Sequence, residues 1–163
     1  RNPKRVGGFT SVGFEHVVVK VKASQNLAKV DMQAVQDTAA LTVRLAANNA
    51  GKYSFKHNGQ ILKRDHTISS TLNALDKNEA HAVVATWLHE LGHQVHYYAG
   101  APAFLKNALP VTYYGAANKY EEFAEAFTAW ALARKELKKW QPDLVSWIDQ
   151  LVNDAAKSQE KRR

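Results

Sequence analysis

The chain contains no cysteine, so no disulfide can brace it, and any metal it holds must be ligated by imidazole and carboxylate groups. It also lacks any apolar run near the roughly 18 residues of a membrane span. The longest such run near the start, Val17 to Val19, is far too short for the core of a signal peptide. No membrane insertion is expected, and the compartment stays open. There is no internal repeat and no clear domain boundary, and an acidic excess is also missing.

What is present suits a folded domain. Of 163 residues, 45% are hydrophobic and 23% charged, too apolar for a disordered chain. A domain of about 150 residues hides roughly two thirds of its unfolded surface. We expect a single domain over residues 1–163. The opening Arg1 in place of methionine reads as a processed product or a piece of a larger protein. Net charge is +7 with a pI near 9.6, and much of it lies in basic ends at 1–8 and 157–163, which are expected to be flexible. Such charge can attract nucleic acid or an acidic partner. No recognisable nucleic-acid motif accompanies it, so a basic nucleic-acid-binding domain ranks last among the readings.

Along the chain, Glu15 to Lys22 holds a Val-rich run that reads as a strand. Ser24 is placed to cap a helix running to about Asn49, where Asn48-Asn49-Ala50-Gly51 is a stop signal. Asn58-Gly59, between Tyr53 to Lys56 and Gln60 to Lys63, predicts a hairpin. His66 to Leu72 reads as a further extended segment. Asp76 with Glu79 resembles a capping box ahead of Ala80, Val83, Val84, Trp87, Leu88 and Leu91 at helical spacing, a helix ending near Tyr98 before Gly100, Ala101 and Pro102. Phe123, Phe127 and Trp130 mark another helix. Pro142 opens a closing amphipathic one through Leu144, Trp147, Ile148, Leu151 and Val152. The fold class expected is α+β.

Inside the helix that ends near Tyr98 stands His89-Glu90-Leu91-Gly92-His93. Histidines four apart are separated by about 40° around a helix axis, so both imidazoles face one way. Such a pair can bind one zinc ion with Zn–N distances of about 2.0 to 2.1 Å, with the intervening glutamate beside the water on the metal. A catalytic zinc takes three protein ligands and leaves a place for water. A third histidine ten residues after His89 would mark a metzincin, but that position is Ala99. His96 shares the helix face, yet three ligands over two turns of one helix would strain the geometry, and it reads as a pocket or surface histidine. Downstream, Glu121 and Glu125 fall on one helix face and Phe123 and Phe127 on another. One of these carboxylates can bind zinc while the other accepts the free ring N–H of a zinc-bound histidine.

The run from His89 to His93, then Tyr114-Gly115, then Glu121-Glu122-Phe123-Ala124-Glu125-Ala126-Phe127 resembles the catalytic domain of the anthrax lethal-factor-like peptidases, a gluzincin group of the zincin superfamily. The likeness covers roughly Thr67 to Trp130. It implies a zincin-like domain with a small mixed or antiparallel sheet, Glu121 as third zinc ligand, Glu125 in support of the site and Tyr114 as oxyanion donor. Glu122 stands where that family often has an aromatic residue, which leaves Glu122 as an alternative ligand, and Tyr113 is an alternative to Tyr114. A phage or toxin setting is implied as well.

The activity expected is zinc-dependent endopeptidase chemistry: a metal-activated water attacks a peptide bond, and Glu90 serves as general base and then general acid. A polypeptide substrate is expected to lie as an extended strand against the His66 to Leu72 edge. The alternative is a zinc-stabilised, non-catalytic structural domain that assembles with a parent or particle protein.

Overall fold

The computed structural model describes residues 8–10, 17–19, 21, 25–63 and 66–161. Among them the order is β1 (Gly8–Thr10), β2 (Val17–Val19), a 3-10 turn, α1 (Met32–Asn48), β3 (Ser54–His57), β4 (Gln60–Lys63), α2 (Ile68–Asp76), α3 (Glu79–Tyr98), a second 3-10 turn, α4 (Lys119–Trp140) and α5 (Pro142–Lys161). The described part is thus mostly helical with two small antiparallel two-stranded sheets, an arrangement compatible with the α+β class. None of its helices is long and apolar enough to cross a membrane. The basic opening through residue 7, half of the predicted first strand and Ser24 lie outside the described residues.

α4 is the central element, packed against α1, α3 and α5. Its Phe123, Ala124, Ala126 and Ala129 have no exposed surface. Phe123 stacks near Phe127 and meets the edge of Trp147 from α5, with ring centroids 6.1 and 5.9 Å apart. The backbone leaves helical geometry at Ala133, so a bend separates the first turns of α4 from its Lys-rich end. α5 adds Leu144, Val145, Ile148 and Leu151 to the core, and α1 adds Val35, Ala39 and Val43. β1 and β2 pack on α3.

The hairpin follows the sequence reading closely. Asn58 and Gly59 both have positive φ, 49° and 76°, the pair of left-handed residues that a type I′ turn demands.

Three predicted elements are corrected. The helix expected to follow Ser24 instead begins at Met32, because the Asp31 side chain accepts the N–H groups of Gln33 and Ala34. The extended segment from His66 to Leu72 is in fact the start of α2: the Thr67 side chain accepts the Ser70 N–H, and Ile68 and Leu72 turn into the core. That removes the edge on which a substrate strand was expected. Finally, the cap of α3 is Asn78 and not Asp76; Asn78 accepts the Ala80 N–H, while Asp76 ends α2 and accepts the Asn78 N–H.

Candidate metal centre

Helix α3 carries His89 and His93 on the side that meets α4. The approach is close because Gly92 lies between them: a Cβ there would stand 3.1 Å from the Ala124 Cα and from the Phe127 ring. On the other side, α4 begins at a defined point. The Asn118 side chain accepts the N–H groups of Tyr120 and Glu121 at 3.0 and 2.9 Å, which fixes Glu121 in the first turn, where the positive end of the helix dipole favours a carboxylate.

These two constraints bring three side chains to one point. His89 Nε2 lies 3.0 Å from Glu121 Oε2, and His93 Nε2 lies 3.2 Å from Glu121 Oε1. The two rings meet edge to face, with centroids 4.9 Å apart. Glu90 is 3% exposed, His89 7% and His93 8%, and one ligand atom from each of these three lies within 4.8 Å of the others. His89, Glu90 and His93 form a group that could hold a metal ion. Ligands at about 2.0 to 2.1 Å in a tetrahedron stand roughly 3.3 Å apart, close to the two imidazole–carboxylate separations.

The far side of His89 is held as well. Its Nδ1 donates to Glu125 Oε2 at 2.9 Å. Glu125 is 1% exposed, and its other oxygen accepts the Ile68 N–H at 3.0 Å and the Thr112 hydroxyl at 2.8 Å. A carboxylate held by three donors orients the ring and sets which nitrogen points at the ligand position.

Electrostatics follow from this crowding. Burial works against a charged His89, but hydrogen bonds and charge from Glu121 and Glu125 outweigh it and raise the pKa to about 10. Burial likewise opposes ionisation of Glu121, yet His89 and His93 hold its carboxyl well below the usual carboxylate range. Glu122 is raised by burial alone. It makes no hydrogen bond or ion pair with His89 or His93 among the described residues, so of the two neighbouring glutamates Glu121 is the one that converges on the histidines.

Tyr114 and Tyr113 part company. The Tyr114 ring is 6.1 Å from that of His89 and 38% exposed. Tyr113 stacks on Tyr53 at 4.7 Å and its hydroxyl accepts the Gly51 N–H at 3.1 Å, which joins the loop to the start of the hairpin. His96 is buried instead of lying at the surface. Its Nε2 donates to the Pro102 carbonyl at 2.8 Å and its ring stacks on Phe123; burial and the nearby Lys119 lower its pKa, with the Pro102 bond opposing them. That bond commits its Nε2 to the loop after α3.

Thr112 and the Ile68 N–H are site groups that sequence reasoning missed. Neither stands at a spacing that signals chemistry, and both reach Glu125 only through tertiary contact. Compared with models of known protein families, with characterised proteins and with solved structures, the chain matches none.

Proposed function

We propose that this chain is a zinc-dependent endopeptidase domain of the zincin kind, similar to the lethal-factor-like gluzincins. The observation that carries the reading is the meeting of His89 and His93 Nε2 on the Glu121 carboxylate while His89 Nδ1 is anchored on Glu125. His89, His93 and Glu121 hold the ion. When bound, zinc supplies Lewis acidity and a water whose pKa falls toward about 7.

The chain's own residues do the rest. The Glu90 carboxylate, next to both imidazoles, takes a proton from the attacking water and returns it to the departing amine nitrogen. Glu125 keeps the His89 ring in one orientation and one tautomer. The Tyr114 hydroxyl, on the exposed side, donates to the carbonyl oxygen of the scissile bond as charge develops there. Burial of Glu90 shields the proton transfer from bulk water.

That same burial favours one second reading, a zinc-stabilised assembly domain without hydrolytic activity, since structural sites are closed. Replacing Glu90 by glutamine separates the two. We expect Glu90→Gln to retain one equivalent of zinc and to lose cleavage of a mixed peptide library by about 10²- to 10⁴-fold, the usual contribution of general acid–base catalysis. A zinc-loaded wild type that leaves every peptide intact would instead overturn the peptidase reading in favour of the second.

A further inference from the structure

We propose that Thr112 is a positioning residue that couples the orientation of His89 to the placement of Tyr114; this rests on His89, His93 and Glu121 being the metal ligands. Thr112 is 5% exposed. Its hydroxyl donates to Glu125 Oε1 at 2.8 Å and accepts the Gly115 N–H at 3.3 Å. One hydroxyl has a single proton and two lone pairs, so the proton is committed to the carboxylate and a lone pair to the backbone.

Each bond has a separate consequence. On the carboxylate side, the Thr112 hydroxyl and the Ile68 N–H together occupy Oε1, leaving Oε2 for His89 Nδ1. Removing one donor lets the carboxylate rotate, and the ring that it steers moves with it. On the backbone side, the Gly115 N–H follows directly on Tyr114. Gly115 is already wedged against α4, where a Cβ would stand 3.0 Å from the Glu122 Cα. The turn that presents Tyr114 is therefore fixed between the first turn of α4 and the Thr112 hydroxyl. A single atom, Thr112 Oγ1, thus registers the tyrosine loop against the carboxylate behind the histidine.

Three variants test this, read by zinc affinity in competition with a chromophoric chelator, by circular dichroism and by kcat at saturating zinc. Thr112→Val keeps the shape and deletes both bonds; Thr112→Ser keeps the hydroxyl and deletes the methyl group. We expect Thr112→Val to remain folded and to weaken zinc binding by about 10- to 100-fold, the range seen when a partner behind a metal ligand is lost. Its kcat falls even when zinc is saturating, with KM little changed. Thr112→Ser matches wild type on all three measurements, an outcome that packing alone would not produce. Thr112→Ala repeats the loss if valine disturbs folding.

A folded Thr112→Val with wild-type zinc affinity overturns the inference and leaves the metal site standing. So does a Thr112→Ser chain as impaired as the valine variant. Loss of fold in both Thr112→Val and Thr112→Ala under saturating zinc also overturns it, because the hydroxyl then holds the fold and not the site. A wild-type chain that binds no zinc overturns the metal reading and this inference together.

Discussion

His89 presents both ring nitrogens to carboxylates, Nε2 to Glu121 and Nδ1 to Glu125, and this makes the chelator-treated protein sensitive to pH in a direction that can be worked out. Against burial, the two carboxylates lift His89 from an ordinary 6.5 to about 10. A raised value means stabilisation that is fully present below 6.5 and lost as pH climbs through about 10. Against its own burial, Glu121 is pulled down from 4.5 by the histidines, so its contribution is present above 4.5 and lost as pH falls. Together they predict maximal stabilisation from this pair between 4.5 and 6.5, with decline on the alkaline side. On the proposed reading zinc would reverse the alkaline trend, since the ion would compete with the proton on Nε2 and bind more tightly as pH rises. Denaturant midpoints of chelator-treated wild type and Glu121→Gln between pH 5 and pH 10 check this. Parallel profiles would show that the imidazole–carboxylate contact contributes nothing.

At the level of elements, the contact between α3 and α4 carries the site, and Gly92 sets its distance. Alanine in place of a mid-helix glycine ordinarily stabilises by roughly 0.5 to 1 kcal/mol. Here the added methyl meets the Ala124 backbone and the Phe127 ring at 3.1 Å, and overpacking of this sort costs about 1 to 3 kcal/mol. Since one of the atoms struck is backbone, the second effect wins. Gly92→Ala is expected to lower the denaturation midpoint and to weaken zinc binding together, because any separation of the helices draws Glu121 away from the histidines. A variant more stable than wild type with unchanged affinity would refute the account.

The same elements show what could be read in advance. α3 and α5 were legible because long amphipathic spacing and Pro142 are local signals, and the hairpin because Asn58-Gly59 admits few other conformations. α2 was not. It spans nine residues with two buried side chains, Ile68 and Leu72, too few to establish a period, and its β-branched residues imitate a strand until the Thr67 cap is seen. The start of α3 was read from Asp76, but Asn78 is the cap: Asp76 ends α2, where it is engaged by His81 Nδ1 at 2.8 Å and by the Asn78 N–H at 2.9 Å. In the site, the grouping of His89, Glu90 and His93 was legible from spacing within one helix, whereas spacing offered Glu121 and Glu125 alike and resemblance assigned Glu121 the ligand role. Thr112 lies in a loop with no periodicity, and its role depends on α4 arriving beside it.

For the molecule as a whole, the ion would add a further link between parts of the chain that already meet through packing and the imidazole–carboxylate bonds. Two of the proposed ligands lie on α3 and one on α4, and through Glu125 the cluster reaches the first residue of α2 and the loop at Thr112. An ion bound only by the folded state stabilises it by about 4.1 kcal/mol when its free concentration is 1,000 times the dissociation constant. In a domain of this size each kcal/mol moves the melting temperature by roughly 2 to 4 °C. Chelation is therefore expected to lower the melting temperature by about 8 to 16 °C relative to zinc-loaded protein. Zinc readdition should restore it, while His93→Ala should respond weakly to either treatment. Scanning calorimetry of the three samples decides the matter: if wild type melts at one temperature with and without chelator, these side chains form an ordinary buried ion-pair cluster, and the shared position of α3 and α4 owes nothing to a metal.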